Sequence, residues 1–307
     1  MRARIKLPYM PVILFLLLCS CNKQQAVVPE TDGGYAFRKV SEIYGIGPRP
    51  SGSEGAKKTA EFIKNEIIRY GLNPETDEWI EKTPSSGGTI FRNVTVVIPG
   101  KKTGFIIIGS HYDTKRIETV PEFSGANDGA SSSGLLLSLI RTVKNNPAPP
   151  PLTLIFAFFD GEECVYQYDD GDGLHGSRRM AGKLEESGKS SDCRAVIILD
   201  MIGDKDLNIS IPSNSDAALA DKIIRMAEAR NLGKYFAKST AAIIDDHTPF
   251  HKMGIPAVDI IDFEYGENNR FWHTKADTID KISPDSLKMA GDIVMALIYN
   301  QKQYHAR

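Results

Sequence analysis

Apolar and polar positions along this chain follow two periods, and the switching between them predicts an alternation of strands and helices. Leu152 to Phe159 holds seven apolar residues in eight, then stops at Asp160-Gly-Glu162-Glu163. A short apolar run bounded by turn residues reads as a strand buried on both faces. Ala195–Leu199 and Ala257–Ile261 carry the same signature, and Asn208–Ile211 suggests an edge strand. Thr89–Ile98 and Gly104–Ser110 read as two strands joined by Pro99-Gly-Lys-Lys, a link so short that the two should pair antiparallel. From Ser53 to Tyr70 the spacing lengthens: Ala56, Ala60, Ile63, Ile67 and Tyr70 repeat at four and three residues, the stripe of an amphipathic helix ending near Gly71. Gly134–Asn145, Gly176–Glu186, Ser215–Asn231 and Pro284–Tyr299 are further helices, the last with proline in its first turn. The expected fold is α/β, a single three-layer domain whose mixed, mostly parallel central sheet is flanked by helices.

The N-terminus breaks this pattern. Arg2, Arg4 and Lys6 precede the apolar Val12–Leu18, and Leu18-Cys19-Ser20-Cys21 follows. A basic start, a short apolar core and a small residue before the break describe a secretory signal. Its ending resembles a bacterial lipoprotein signal, with Cys21 as the lipidated new N-terminus; a plain secretory signal or a membrane anchor are the alternatives. Residues 1–21 are therefore assigned to the signal, 22–34 to a flexible tether and 35–307 to the folded domain. This places the protein in a bacterial cell envelope, facing periplasm or exterior and held to the membrane only by its lipid.

The formal charge of the chain is −2, and losing Arg2, Arg4 and Lys6 leaves −5. No basic stripe remains to suggest nucleic acid. Of four cysteines, two lie in the signal; Cys164 and Cys193 are open to pairing or to separate burial. About 285 residues suffice for one large domain with a full core, and a monomer is expected.

Candidate chemistry gathers where strands end. His111 closes one strand in Gly109-Ser-His-Tyr-Asp113, Asp200 closes another, and the Glu162–Glu163 pair follows a third. Parallel strands point their carboxyl ends the same way, and ligands in open α/β sheets bind there. Three like charges within four residues call for a cation, although a solvated acidic turn is the plain alternative. Asp128 precedes a helix, and His273 stands in Phe271-Trp-His-Thr-Lys-Ala-Asp277. Imidazole and carboxylates without paired thiolates suit catalytic zinc, which takes about three protein ligands and keeps one position open. Asp128, Glu163 and His273 would fill that role, leaving Glu162 as general acid or base. Asp113 is expected to orient His111, and Asp160 to accept backbone hydrogen bonds. His247 reads as a cap or support residue, and His175 and His251 as surface or loop residues.

Gly47-Pro-Arg-Pro-Ser-Gly-Ser-Glu-Gly55, Gly109–Asp113, Gly125–Ala130, Asp160–Glu163, Leu199–Gly203, Asp245-Asp-His-Thr-Pro-Phe250 and Trp272-His-Thr274 occur in an order that resembles the M28 zinc peptidases. The resemblance runs from about Tyr35 to Leu297 and implies a zinc-exopeptidase-like fold. It carries metal ligation onto His111, Asp128, Glu163, Asp200 and His273, and acid/base work onto Glu162. Two chemistries stay open within the family. Di-zinc aminopeptidases remove N-terminal residues, with His111 and Asp200 holding the second metal. Glutaminyl-peptide cyclotransferases use one zinc at Asp128, Glu163 and His273 to turn N-terminal glutamine of peptides and proteins into pyroglutamate. In that case Asp200 and Asp245 would join Glu162 as catalytic groups, with Trp272 and Tyr168 against the substrate. Asp245, Trp272 and Asp172-Gly-Leu-His-Gly-Ser-Arg178 favour this subgroup; Tyr168 in place of Trp, and Ile244 in place of a polar residue, depart from it. An inactive peptide-binding relative is the third alternative.

Overall fold

The eight-residue apolar run becomes an inner strand of a six-stranded sheet in a computed structural model that describes residues 28–299. In chain order the elements are α1 (Gly33–Gly45), α2 (Glu54–Arg69), β1 (Glu75–Thr83), β2 (Ser86–Ile98), β3 (Lys102–His111), α3 (Ala130–Asn145), β4 (Leu152–Phe159), α4 (His175–Glu186) and β5 (Cys193–Asp200). They continue through β6 (Ile209–Ile211), α5 (Ala217–Ala229), β7 (Phe236–Lys238), α6 (His247–Lys252), β8 (Ala257–Ile261) and α7 (Pro284–Tyr299). The sheet order is β1-β2-β4-β3-β5-β8, with β3, β4, β5 and β8 parallel and β1 and β2 antiparallel.

Side chains of successive strand residues point to opposite faces, which builds three layers. Ile106, Ile108, Phe156, Phe158 and Ile197 face a core shared with α1, α2, α3, α5 and α7. Ile107, Ala157, Phe159, Val196 and Ile198 face the smaller core under α4 and α6.

Several expectations need correction. β2 and β3 run in opposite directions but do not pair; β4 lies between them, in antiparallel register with β2 and parallel register with β3. The segment at 208–211 is no edge of the main sheet, because β6 pairs with β7 in a separate two-stranded sheet. The tether ends before residue 34. The Asp32 side chain caps α1 by accepting from the Tyr35 N–H, and the Thr31 N–H donates to Asp292 Oδ1 at 2.8 Å. The α1 helix then buries Ala36, Val40 and Ile43. Residues 1–27, including the expected signal, and His305 lie outside the described residues. Among the described residues no helix is long and apolar enough to cross a membrane. Cys164 and Cys193 are both free and buried, which settles the open question of their pairing.

Candidate metal centre and its pocket

The four parallel strands bring their carboxyl ends to one edge, where β3 delivers His111 and β5 delivers Asp200. The turn after β4 delivers Glu162 and Glu163. Its Gly161 has φ +76°, and a Cβ there would stand 2.5 Å from the Phe91 ring and 3.0 Å from the His175 Cβ. Only glycine meets both demands. Asp113 fixes the turn from below: its Oδ1 accepts the Glu162 N–H at 3.2 Å and its Oδ2 the Glu163 N–H at 3.3 Å. The same carboxylate lies 3.5 Å from His111 Nδ1, so its part extends from the histidine to both glutamates. Asp160 accepts the Arg92 N–H at 2.9 Å and the Ser51 hydroxyl at 2.8 Å, the backbone-anchoring role its position suggests.

Asp128 reaches the same edge from the loop before α3, and His273 from the long connection between β8 and α7. Two groups of potential ligand atoms result, each with its members within 4.8 Å of one another: Asp128, Glu163 and His273, and His111, Asp128 and Asp200. In the first, His273 Nε2 lies 3.0 Å from Asp128 Oδ2 and 3.2 Å from Glu163 Oε1. Bonds of about 2.0 Å to a tetrahedral metal would space donors about 3.3 Å apart. Asp128 Oδ2 and Glu163 Oε2 are buried without a hydrogen-bond partner, which a buried carboxylate oxygen ordinarily has. The donor set and its orphaned oxygens fit zinc. His273 itself has φ +84°, an uncommon conformation for a residue with a side chain, held here at the centre of the site.

In the second group His111 Nε2 lies 3.1 Å from Asp200 Oδ1 and 3.4 Å from Asp128 Oδ1. Burial opposes charge on His111, but Asp200 and the hydrogen-bonding carboxylates overcome it and hold its pKa well above the ordinary value. Burial also raises Asp200, to about 7, against the pull of His111. His273 is raised to about 10, since Asp128 and Glu163 outweigh its burial.

Glu162 belongs to neither group. Its Oε1 accepts from the Tyr168 hydroxyl at 2.9 Å, and burial, reinforced by Glu163, Asp245 and Asp246, lifts its pKa well above the usual carboxylate range despite His111. Tyr168 is placed by a folded loop: Asp172 accepts the N–H groups of Val165, Tyr166 and Gln167. Asp128, Glu162, Glu163, Asp200, Asp245, Tyr168, Trp272 and His273 all line one cavity of about 280 Å³. Trp272 stacks on His273 with ring centroids 4.1 Å apart.

Several contributors escaped the sequence reading. Asp277 accepts the N–H groups of Asn127 at 2.8 Å and Asp128 at 3.2 Å, and the Tyr265 hydroxyl at 2.8 Å, so it locks the loop that presents Asp128. Arg49 is fully buried and donates to the carbonyls of Tyr112, Ser124 and Gly125, tying that loop to the end of β3. Asp259 and Asp246 are buried beside Asp245, with carboxyl oxygens lacking any donor, and burial raises both well above the ordinary range. An aspartate inside the apolar Ala257–Ile261 run was a visible signal. His175 is a correction: it is buried, stacked on Phe91 at 4.3 Å, with Nδ1 3.2 Å from Glu81. His247 opens α6 but is also buried, and neither ring nitrogen has a partner. It gives the helix no side-chain cap.

Comparison with known proteins agrees with this arrangement. A solved glutaminyl cyclase from an Acidobacteriales bacterium superposes with a TM-score of 0.82 at 36% identity, covering 89% of this chain and 96% of that one. A Zn-dependent exopeptidase from Parabacteroides distasonis superposes with a TM-score of 0.79 at 25% identity, over 90% of this chain and 100% of that one. The glutaminyl-peptide cyclotransferase of Drosophila melanogaster is 25% identical over 268 residues, 79% of this chain and 75% of that protein. The profile of peptidase family M28 matches residues 93–298, the span from β2 to the end of α7 that holds every ligand candidate: the chain belongs to peptidase family M28.

Proposed function

We propose that the chain is a zinc-dependent glutaminyl-peptide cyclotransferase, which closes the N-terminal glutamine of peptides and proteins into pyroglutamate and releases ammonia. The observation that carries this is Glu162: a buried carboxyl outside both ligand groups, held by Tyr168 and facing the same cavity as the Asp128–Glu163–His273 donors. The 36% identity to a glutaminyl cyclase supports it.

Asp128, Glu163 and His273 would hold one zinc, which when bound supplies Lewis-acid polarisation of the γ-carbonyl. The remaining steps fall to the chain's own side chains. The reaction is intramolecular, so the pocket chiefly folds the substrate into an attacking geometry. The α-amine nitrogen forms a bond to the γ-carbon, and the bond from that carbon to the amide nitrogen breaks. Glu162 takes the proton from the attacking amine and returns it to the departing nitrogen, which leaves as ammonia. The Tyr168 hydroxyl holds the Glu162 carboxyl in place, while Asp245 and Asp200 complete the acidic floor that receives the substrate's amine. Trp272, stacked on His273, forms an aromatic wall for the side chain.

A di-zinc aminopeptidase is favoured by one observation, the complete His111–Asp128–Asp200 group. The likeness to glutaminyl cyclases supports the cyclase instead. Metal analysis of the purified protein decides, together with product analysis. One zinc per chain, with ammonia released from a Gln-initiated peptide that keeps its length, is expected. Two tightly held zincs with release of free leucine from a Leu-initiated peptide would overturn the cyclase.

A further inference from the structure

The mouth of the pocket carries apolar surface that no part of the described chain covers. One lip is the segment Ala242-Ile243-Ile244, with Ile244 51% exposed. The other is Trp272, 38% exposed, whose ring meets Phe263 edge-on at 5.0 Å. Below the lips the lining carries five carboxylates and His273, beside Ile261 and the Tyr168 ring.

The Ile244 lip is not a slack loop. Asn214 reads its backbone as a neighbouring strand would, donating from Nδ2 to the Ile243 carbonyl at 2.8 Å and accepting the Ile243 N–H at 3.1 Å. The Ser213 N–H adds a bond to the Ala241 carbonyl at 2.9 Å. Ile243 turns inward onto the small cluster of Met201, Ile261 and Tyr265, and the alternation of an extended segment sends Ala242 and Ile244 outward. The opposite lip is equally fixed, since Trp272 is stacked on His273 and braced by Phe263. Two rigid apolar lips above a polar floor leave exposed hydrocarbon that a bound ligand can remove from water.

We propose that this mouth is a specificity site for the residue that follows the cyclising glutamine, that it takes an apolar side chain, and that Ile244 is its determining residue. The proposal rests on the cyclase reading above. A substrate whose first side chain reaches the floor must carry its second residue out past the lips. An apolar side chain there would bury against Ile244 and Trp272. A carboxylate there would bury no hydrocarbon and would approach the acidic floor.

The test is a competition assay between Gln-Phe and Gln-Gly peptides, matched beyond the second residue and read as ammonia release, with Gln-Glu as a third member. For the unmodified protein kcat/KM should favour Gln-Phe over Gln-Gly by about tenfold, the scale of discrimination that an apolar contact supplies. In Ile244→Ser the Phe-to-Gly ratio should fall to about threefold or less, chiefly through KM for Gln-Phe. In Ile80→Ser, a still more solvent-facing isoleucine on β1, the ratio should stay as it was. Equal kcat/KM across the series, or a ratio that survives Ile244→Ser, overturns the proposal and leaves the cyclase reading intact. Absence of ammonia from every Gln-initiated peptide overturns both.

Discussion

Two groups of ligand candidates share Asp128, and what separates them is how far each is open to the cavity. In the deep group a nearly inaccessible His111 lies against Asp200, Asp128 and Asp113, so the carboxylates find their cation inside the protein. In the outer group His273 keeps 18% of its side chain exposed and pairs with Asp128 at 3.0 Å and Glu163 at 3.2 Å, while Lys115 Nζ lies 3.5 Å from Glu163 Oε2. Both groups pair internally; the outer one opens on the cavity through a part-exposed His273, whereas His111 of the deep one is sealed from it. Residue types alone do not tell the two apart, because exposure to the cavity decides.

The largest break in this comparison would come from its two histidines. His273→Ala should abolish both zinc retention and turnover. His111→Ala should keep one zinc per chain but destabilise the fold by about 3–5 kcal/mol, the cost of stranding buried carboxylates. Metal analysis and denaturant melts of both variants check this; loss of zinc in His111→Ala would mean that the deep group binds metal. Glu162→Gln should bind zinc normally yet lose about 10²–10⁴ in kcat, the usual worth of a positioned acid or base. Its pH profile follows from the direction of the shift. A raised pKa keeps the carboxyl protonated to higher pH, and the base form is needed to accept the amine proton. In the metal-free protein the Glu162 carboxyl should therefore titrate above the ordinary glutamate range, and differently in Tyr168→Phe, as read by NMR titration of the side chain. The smallest effect expected is that of Asp277→Asn, which leaves every ligand in place but loosens the loop holding Asp128. Zinc affinity should drop about 10–100-fold in a chelator competition.

Much of this was legible in the chain. The strand-end logic found the carboxylates and histidines because core packing gives an apolar run no reason to stop at a cluster of charges. The inner strands were equally clear. β1 was not, since Glu75–Thr83 is a half-exposed strand with little apolar content beyond Trp79 and Ile80. The first helix was missed for a different reason. Gly33-Gly34 reads as flexibility, yet a Cβ on Gly33 would come within 2.1 Å of the Pro284 carbonyl, so the glycine marks close packing. Asp277 and Arg49 act on partners far along the chain, as distant as Asn127 from Asp277 and Gly125 from Arg49, and Asp259 acts from inside an apolar strand. Local pattern carries no record of such partners. The same holds for sheet order, because the short β2–β3 link invited a pairing that the later β4 displaces.

That displacement has a consequence for how the molecule is made. When β2 and β3 leave the ribosome, α3 and its flanking loops must still be synthesised before the strand that belongs between them. Pairing of this kind is non-local, and its loop-closure cost precedes its reward. Leu152–Phe159 joins the antiparallel and parallel parts of the sheet, and the turn that follows it sets Glu162 and Glu163 on Asp113. The catalytic turn thus hangs from the one strand that holds the antiparallel and parallel parts of the main sheet together.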